Sequence, residues 1–255
     1  METDQPQFVT KGCQQCANNL HLDFDFTMAF QPIIDVSKQE IFGYEALVRG
    51  PNNESAYSVI SRVNDDNRYA FDQSCRVKAI ALAAKLNLKS ILSINFLPNA
   101  IYQPERCIRT TLAAAKDYGF PTDRIMFEFT EAEKIADSGY IKHVVEYYRE
   151  LGFMTAIDDF GAGYAGLGLL ANFQTDIIKL DMELIRNIDS DETRQVIVTH
   201  LLSICRQLKI TCLAEGIETL AEMRWLKGAG VELMQGYLFA RPGFESLPEV
   251  TFPIA

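Results

Sequence analysis

Residues 124–180 read RIMFEFTEAEKIADSGYIKHVVEYYRELGFMTAIDDFGAGYAGLGLLANFQTDIIKL. An apolar run at Arg124 to Phe129 reads as a strand, and helical spacing follows near Gly139 to Leu151. A second run, Phe153 to Asp158, leads into a glycine-rich turn, and a third, Asp176 to Leu180, closes the stretch. Strands that alternate with helices imply parallel pairing through crossovers. The pattern extends in both directions. Upstream come a strand at Ser90 to Asn95 and a helix near Pro104 to Tyr118. Downstream come a helix near Asp191 to Leu208, a strand at Ile210 to Ala214, a helix near Thr219 to Gly228 and a last short strand within Leu233 to Leu238. Ahead of the series, Ala56 to Val63 and Tyr69 to Leu86 have helical spacing. Met28 to Val36 and Ile41 to Val48 flank the turn Ser37-Lys38-Gln39 and read as an antiparallel hairpin. The strand count, with this hairpin added, favours a closed α/β barrel over an open sheet.

The polar residues with chemical use fall at the downstream ends of these strands. Asn95 ends SILSIN, Glu128 sits late in RIMFEF, Asp158 and Asp159 end FMTAIDD, Lys179 sits late in DIIKL, and Glu215 follows ITCLA. In a βα barrel those ends ring a single mouth, where active sites lie. With Glu45, the set Glu45, Asn95, Glu128, Asp158, Asp159 and Glu215 offers oxygen ligands only, which select Mg²⁺ or Mn²⁺ over zinc. Neighbouring aspartates suit a site in which one carboxylate bridges two ions, the usual device for phosphodiester hydrolysis. Lys179 would add a positive charge that orients water or stabilises developing negative charge. Taken singly, an Asp-Asp before Phe-Gly is an ordinary turn or cap, and a strand-end glutamate ordinarily meets solvent or a lysine. The set gathered at one mouth is what points to metal, because uncompensated carboxylates repel one another.

The chain has 255 residues, 48% of them hydrophobic, enough for one sizeable core. A formal charge of -10 argues against bulk binding of DNA or RNA. No apolar run can span a membrane, since the longest, Ala79 to Leu88, is broken by Lys85 and Asn87. The polar start METDQPQFVT is not a secretion signal. Six cysteines do not form a dense disulfide framework; Cys75, Cys205 and Cys212 lie in apolar segments and read as buried thiols, so a cytoplasmic location is expected. Residues 1–24 form a polar N-terminal extension ahead of a domain covering residues 25–255. Cys13 and Cys16 in that extension, with His21 nearby, read as free thiols of a tail, the alternative being a redox or metal-sensing element.

Eight motifs in order resemble those of the EAL phosphodiesterases: FQPI at Phe30 to Ile33, YEALVRG at Tyr44 to Gly50, SINFLP at Ser93 to Pro98, FEFTE at Phe127 to Glu131, AIDDFGAGYAGL at Ala156 to Leu167, DIIKLD at Asp176 to Asp181, AEGIET at Ala214 to Thr219 and MQGYLFARP at Met234 to Pro242. The resemblance implies a TIM-like (β/α)8 barrel whose first strand runs antiparallel to the rest, in accord with the hairpin. It implies hydrolysis of cyclic di-GMP to linear pGpG with Mg²⁺ or Mn²⁺, two ions per active site. Glu45, Asn95, Glu128 and Asp158 would hold one ion. Asp158 would bridge to the second, which Asp159 also binds. Glu215 would be a ligand of the second ion or the base acting on the attacking water, and Lys179 would contact that water. Glu218 would support Lys179 from behind, and Glu131 would brace the loop Phe160 to Leu167, which in this family couples metal binding to dimer contacts. Gln31, Arg49 and Gln235 would lie against the substrate. The loop departs from the many members that carry a threonine and serines there, reading GAGYAGLGLL. A homodimer is expected. A receptor or protein-interaction module on the same fold, and a different barrel phosphodiesterase or phosphatase, are the alternatives to carry forward.

Overall fold

The computed structural model describes residues 22–98, 101, 103–130, 138–163 and 166–253. Its hairpin decides how the sheet closes. Strand β1, Thr27–Asp35, pairs antiparallel with β2, Glu40–Arg49, in a register that sets Thr27 against Arg49 and Gln31 against Glu45. From β2 the sheet runs in parallel through β3 (Ile91–Asn95), β4 (Ile125–Thr130), β5 (Met154–Phe160), β6 (Ile177–Leu180), β7 (Thr211–Ala214) and β8 (Leu233–Met234). β8 then pairs antiparallel with the far end of β1, at Ile34 and Asp35, and the ring of eight strands is closed. The expected barrel with an antiparallel first strand is therefore the observed one. Because β1 runs against its neighbours, its beginning lies at the same end of the barrel as the end of β2. A ninth strand, β9 (Gly243–Phe244), pairs with β1 at Ala29 and Phe30 and was not expected from the sequence.

Helices α1 (Ala56–Ile60), α2 (Arg68–Lys85), α3 (Pro104–Asp117), α4 (Ser138–Glu150), α5 (Gly166–Asn172), α6 (Met182–Ile185), α7 (Glu192–Leu208) and α8 (Leu220–Ala229) fill the crossovers. Their ends carry ordinary stop and start chemistry. Thr219 and Glu222 form a capping box at the start of α8, and Gly230, at φ 95°, ends it in the left-handed conformation that glycine adopts without strain. Asp181 caps α6 by accepting from the Glu183 amide at 2.7 Å.

Three readings change. The glycine-rich turn after β5 contains α5, whose glycines mask its helical spacing. The last strand shrinks to Leu233–Met234 because Gly236 packs so closely on the Ile217 backbone that a side chain there would clash, and the chain turns away. Ala56 to Val63 holds a helix only to Ile60.

Strand side chains alternate between two faces. Ile33, Met126, Ala156, Ile177, Leu213 and Leu233 fill the inside of the barrel. The outward residues, among them Leu92, Ile94, Phe127, Phe129, Ile157, Ile178 and Leu180, join the larger core under the helices. The inner plug is apolar at the end where the parallel strands begin. Two residues further along each strand, the inward position becomes polar: Met126 to Glu128, Ala156 to Asp158, Ile177 to Lys179, Leu213 to Glu215, Leu233 to Gln235. β1, running the other way, makes the same change from Ile33 back to Gln31.

Candidate metal centre

One turn of pleat above the apolar plug, the polar inward residues meet around Lys179. This ammonium is fully buried and lies 2.8 Å from Glu215, 2.9 Å from Glu128, 2.9 Å from Asp158 and 3.4 Å from Glu45. Glu45 is held from two sides. Asn95 Nδ2 donates to its Oε1 at 2.9 Å, and Gln235 Nε2 donates to its Oε2 at 2.8 Å. Gln235 also donates to Gln31 at 3.2 Å, and Gln31 donates to the Ala240 carbonyl at 3.4 Å. Gln31 and Gln235, read from the resemblance as substrate contacts, thus reach the mouth and brace Glu45 there.

The two aspartates reach the site by different routes. A regular strand would send Asp158 and Asp159 to opposite faces. β5 is irregular here: Ile157 pairs with Ile178 and Phe160 with Leu180, so two residues of β5 stand opposite Lys179 alone. This is the residue count of a β-bulge, and Asp159 takes a positive φ of 52° within it. The bulge re-aims Asp159 so that its carboxylate joins that of Asp158. Asp-Asp was legible in the sequence; the extra residue that lets both point one way was not.

Two groups of ligand atoms result. Glu45, Glu128 and Asp158 bring carboxylate oxygens within 4.8 Å of one another, and so do Asp158, Asp159 and Glu215. Asp158 belongs to both. Five carboxylates face one lysine, and the imbalance is felt in their proton affinities. Burial, reinforced by Glu45 and Asp158 and only partly opposed by Lys179, pushes Glu128 up to about 8. Burial together with Asp158 and Asp181 pushes Asp159 up to about 6. Burial also holds Glu215 well above the carboxylate range, with Asp158 and Glu45 adding to it against Lys179. Burial disfavours the Lys179 ammonium, yet Asp158, Glu128, Glu215 and Glu45 raise its pKa well above normal. The residues therefore fit a pair of hard divalent cations: all donors are oxygens, they form two triads with a shared bridge, and added positive charge relieves their repulsion.

Arg49 ends β2 half-buried, its Nη1 donating to the Val48 carbonyl at 2.7 Å. Glu218 follows the left-handed turn at Gly216 and pairs with Arg186, 3.2 Å away and half-exposed. Glu131, Cys13, Cys16 and His21 lie outside the described residues. Two contributors escaped the sequence reading. Asp181, besides capping α6, acts on Asp159 electrostatically. Glu222 accepts the amides of Asn187, Glu218 and Thr219 at 2.9, 3.1 and 3.0 Å, tying the turn after Glu215 to the end of α6. The Thr-x-x-Glu spacing of a capping box was the signal that could have found it.

Comparison with known proteins gives the same picture. The family profile described as EAL domain matches residues 14–242, beginning ahead of β1. The Escherichia coli K12 blue light- and temperature-regulated antirepressor BluF is 33% identical over 244 residues, 95% of this chain and 60% of BluF. The probable cyclic di-GMP phosphodiesterase PdeB of the same organism is 28% identical over 236 residues, 89% of this chain and 44% of PdeB. The chain thus spans less than two thirds of either curated relative. Among solved structures, the c-di-GMP-bound form of a standalone versatile EAL protein from Vibrio cholerae O395 superposes with a TM-score of 0.89 at 71% identity, over 91% of this chain and 98% of that one. Klebsiella pneumoniae BlrP1 in its manganese/cy-diGMP complex at pH 9.0 gives 0.85 at 38% identity, over 92% of this chain and 60% of its own.

Proposed function

The chain belongs to the EAL domain family, and from that membership we propose that it hydrolyses cyclic di-GMP to linear pGpG, using two Mg²⁺ or Mn²⁺ ions at the barrel mouth. The observation that carries this reading is the pair of carboxylate triads sharing Asp158 around a buried lysine. Bound there, the cations would supply Lewis-acid charge to the phosphate and ease loss of a proton from the attacking water. Glu45, Asn95, Glu128 and Asp158 would hold one cation; Asp158, Asp159 and Glu215 would hold the other. Lys179, anchored among four carboxylates, presents a fixed positive charge to the attacking water. Glu215 serves either as a ligand of the second cation or as the base that takes a proton from that water. Arg49 at the rim suits a second phosphate, and Gln31 and Gln235 suit the ligand's polar edges once Gln235 turns from Glu45. Relatives named as a cyclic di-GMP phosphodiesterase and as a c-di-GMP-bound EAL protein support the substrate.

Glu131 as a brace of the loop after Asp159, Glu218 as a support of Lys179, and a homodimer built on that side belong to the same proposal. Leu167 on α5, 60% exposed, and Met182 on α6, 40% exposed, offer apolar surface for the dimer. A cytoplasmic location fits the free thiols of Cys75, Cys107, Cys205 and Cys212. Among the described residues, no helix is long and apolar enough to cross a membrane.

A second reading has one observation in its favour. BluF, a relative at 33% identity, is named as an antirepressor. On that reading the chain binds cyclic di-GMP or a protein partner without turnover. Incubation with cyclic di-GMP and Mn²⁺, with products separated by chromatography beside a binding titration, decides between them. Linear pGpG is the expected product; saturable binding without pGpG would establish the receptor instead.

A further inference from the structure

Away from the mouth, between α2, α4 and the barrel wall, lies a charged pair that the proposed chemistry does not use. Asp72 and Arg76 on α2 form an ion pair at 2.9 Å with side chains 1% and 0% exposed. A buried ion pair is rarely more stabilising than a well-packed apolar pair of the same volume, so stability alone is a weak reason for it. Its neighbours supply a better one. The free oxygen of the pair, Asp72 Oδ1, accepts the backbone amide of Leu97 at 2.9 Å. Leu97 is two residues beyond Asn95, at the point where β3 has ended. The amide between them, Phe96, still bonds to the Glu128 carbonyl at 2.8 Å. The Arg76 guanidinium stacks 5.5 Å from the ring centre of Phe96 and 4.9 Å from that of Phe127, while its Nη1 donates to Tyr148 at 3.0 Å. Phe96 follows Asn95 in the chain, and Phe127 precedes Glu128. One buried pair therefore grips the residue beside each of two expected ligands, from the outer face of the barrel.

We propose that Asp72 is a positioning residue that fixes the end of β3, so that Asn95 meets Glu45, Glu128 and Asp158 at the spacing a divalent cation requires. The proposal rests on the metal reading above. Asp72 supplies the acceptor that stops the chain after Asn95 from swinging free. Arg76 neutralises that acceptor. Partners of this kind behind a metal ligand change affinity by roughly 10–100-fold when removed.

The test compares two charge-free double variants. Asp72→Asn with Arg76→Met retains an oxygen that can accept the Leu97 amide. Asp72→Leu with Arg76→Met removes it, and both lose the Tyr148 contact equally. Binding of Mn²⁺ alone is followed by the loss of the free-ion electron paramagnetic resonance signal. Expected are two sites in the wild-type chain, near-unchanged affinities in the asparagine variant, and one site weakened roughly tenfold or more in the leucine variant, the other being retained. A merely structural pair would lower thermal stability in both without weakening one site selectively. Equal affinities in all three proteins, or equal losses in both variants, overturn the positioning role while leaving the metal centre intact. A wild-type chain that binds no Mn²⁺ overturns the metal reading and this inference with it. Should the leucine variant fail to fold, hydrogen exchange of the Leu97 amide in the wild-type chain takes its place. Protection matching the β3 amides is expected, and exchange at the rate of an open loop refutes the clamp.

Discussion

Replacing Lys179 with methionine removes the charge at the centre of the site while keeping much of its volume. At an effective dielectric of about 20, each ion contact near 2.9 Å is worth about 6 kcal/mol of gross attraction. Much of this is offset by the cost of burying the charges. Stripping one partner from a buried pair nets about 3–5 kcal/mol of destabilisation, and Lys179 serves four carboxylates at once. In a chain of this size that corresponds to a fall in Tm of roughly 6–20 °C for the metal-free protein. Divalent cations replace the missing charge. At a free concentration about 100 times its Kd, a single bound ion returns about 2.7 kcal/mol. Scanning calorimetry of wild type and Lys179→Met, with and without Mn²⁺, measures both quantities. The variant should melt far below wild type without metal and recover much of the gap with it. A metal-free variant as stable as wild type would refute the electrostatic account of the centre, whatever its activity.

The same carboxylates set the pH dependence of metal-free stability. Glu128 rises from 4.5 to about 8 on folding and Asp159 from 3.8 to about 6. The folded chain thus holds protons that the unfolded chain has released. Their contribution is complete below pH 3.8 and is lost as pH climbs through 6 and 8. Metal-free Tm should therefore drop across that interval, and saturating Mn²⁺ should flatten the drop; a rise would contradict the assignment. Glu45→Ala and Asp158→Ala should each abolish formation of pGpG in a chromatographic assay, Asp158→Ala also costing Mn²⁺ at both positions by titration. Ca²⁺ in place of Mn²⁺ should bind yet block turnover, its larger and less regular shell spoiling the geometry. Glu222→Ala should lower stability in urea by about 1–3 kcal/mol, since three amides lose their acceptor, with Glu222→Gln losing less.

The barrel was legible because its information is local and periodic. In SILSIN, RIMFEF and DIIKL the inward positions step from apolar to polar at intervals of two, so strand, face and mouth are all written in the same few letters. The hairpin announced itself through Ser37-Lys38-Gln39. What the sequence concealed depends on partners far away in the chain. Nothing near Asp159 says that β6 offers one residue where β5 offers two. Asp72 and Arg76 look like the polar face of a helix until Leu97, Phe127 and Tyr148 are packed over them. The contact between Glu218 and Arg186 likewise depends on the turn at Gly216 and on a helix end 32 residues upstream. Gly166 and Gly168 disguised α5 as a loop.

The reversed direction of β1 governs how anything attached upstream meets this protein. In an all-parallel barrel the chain would enter at the closed floor, opposite the chemistry. Here Thr27 lies across from Arg49, so the polypeptide arrives at the rim itself and passes beneath α2, where Lys78 holds Asp25 and the carbonyl of Phe26. Whatever lies before residue 22 therefore joins the barrel on the side where the carboxylates gather, not at the apolar floor.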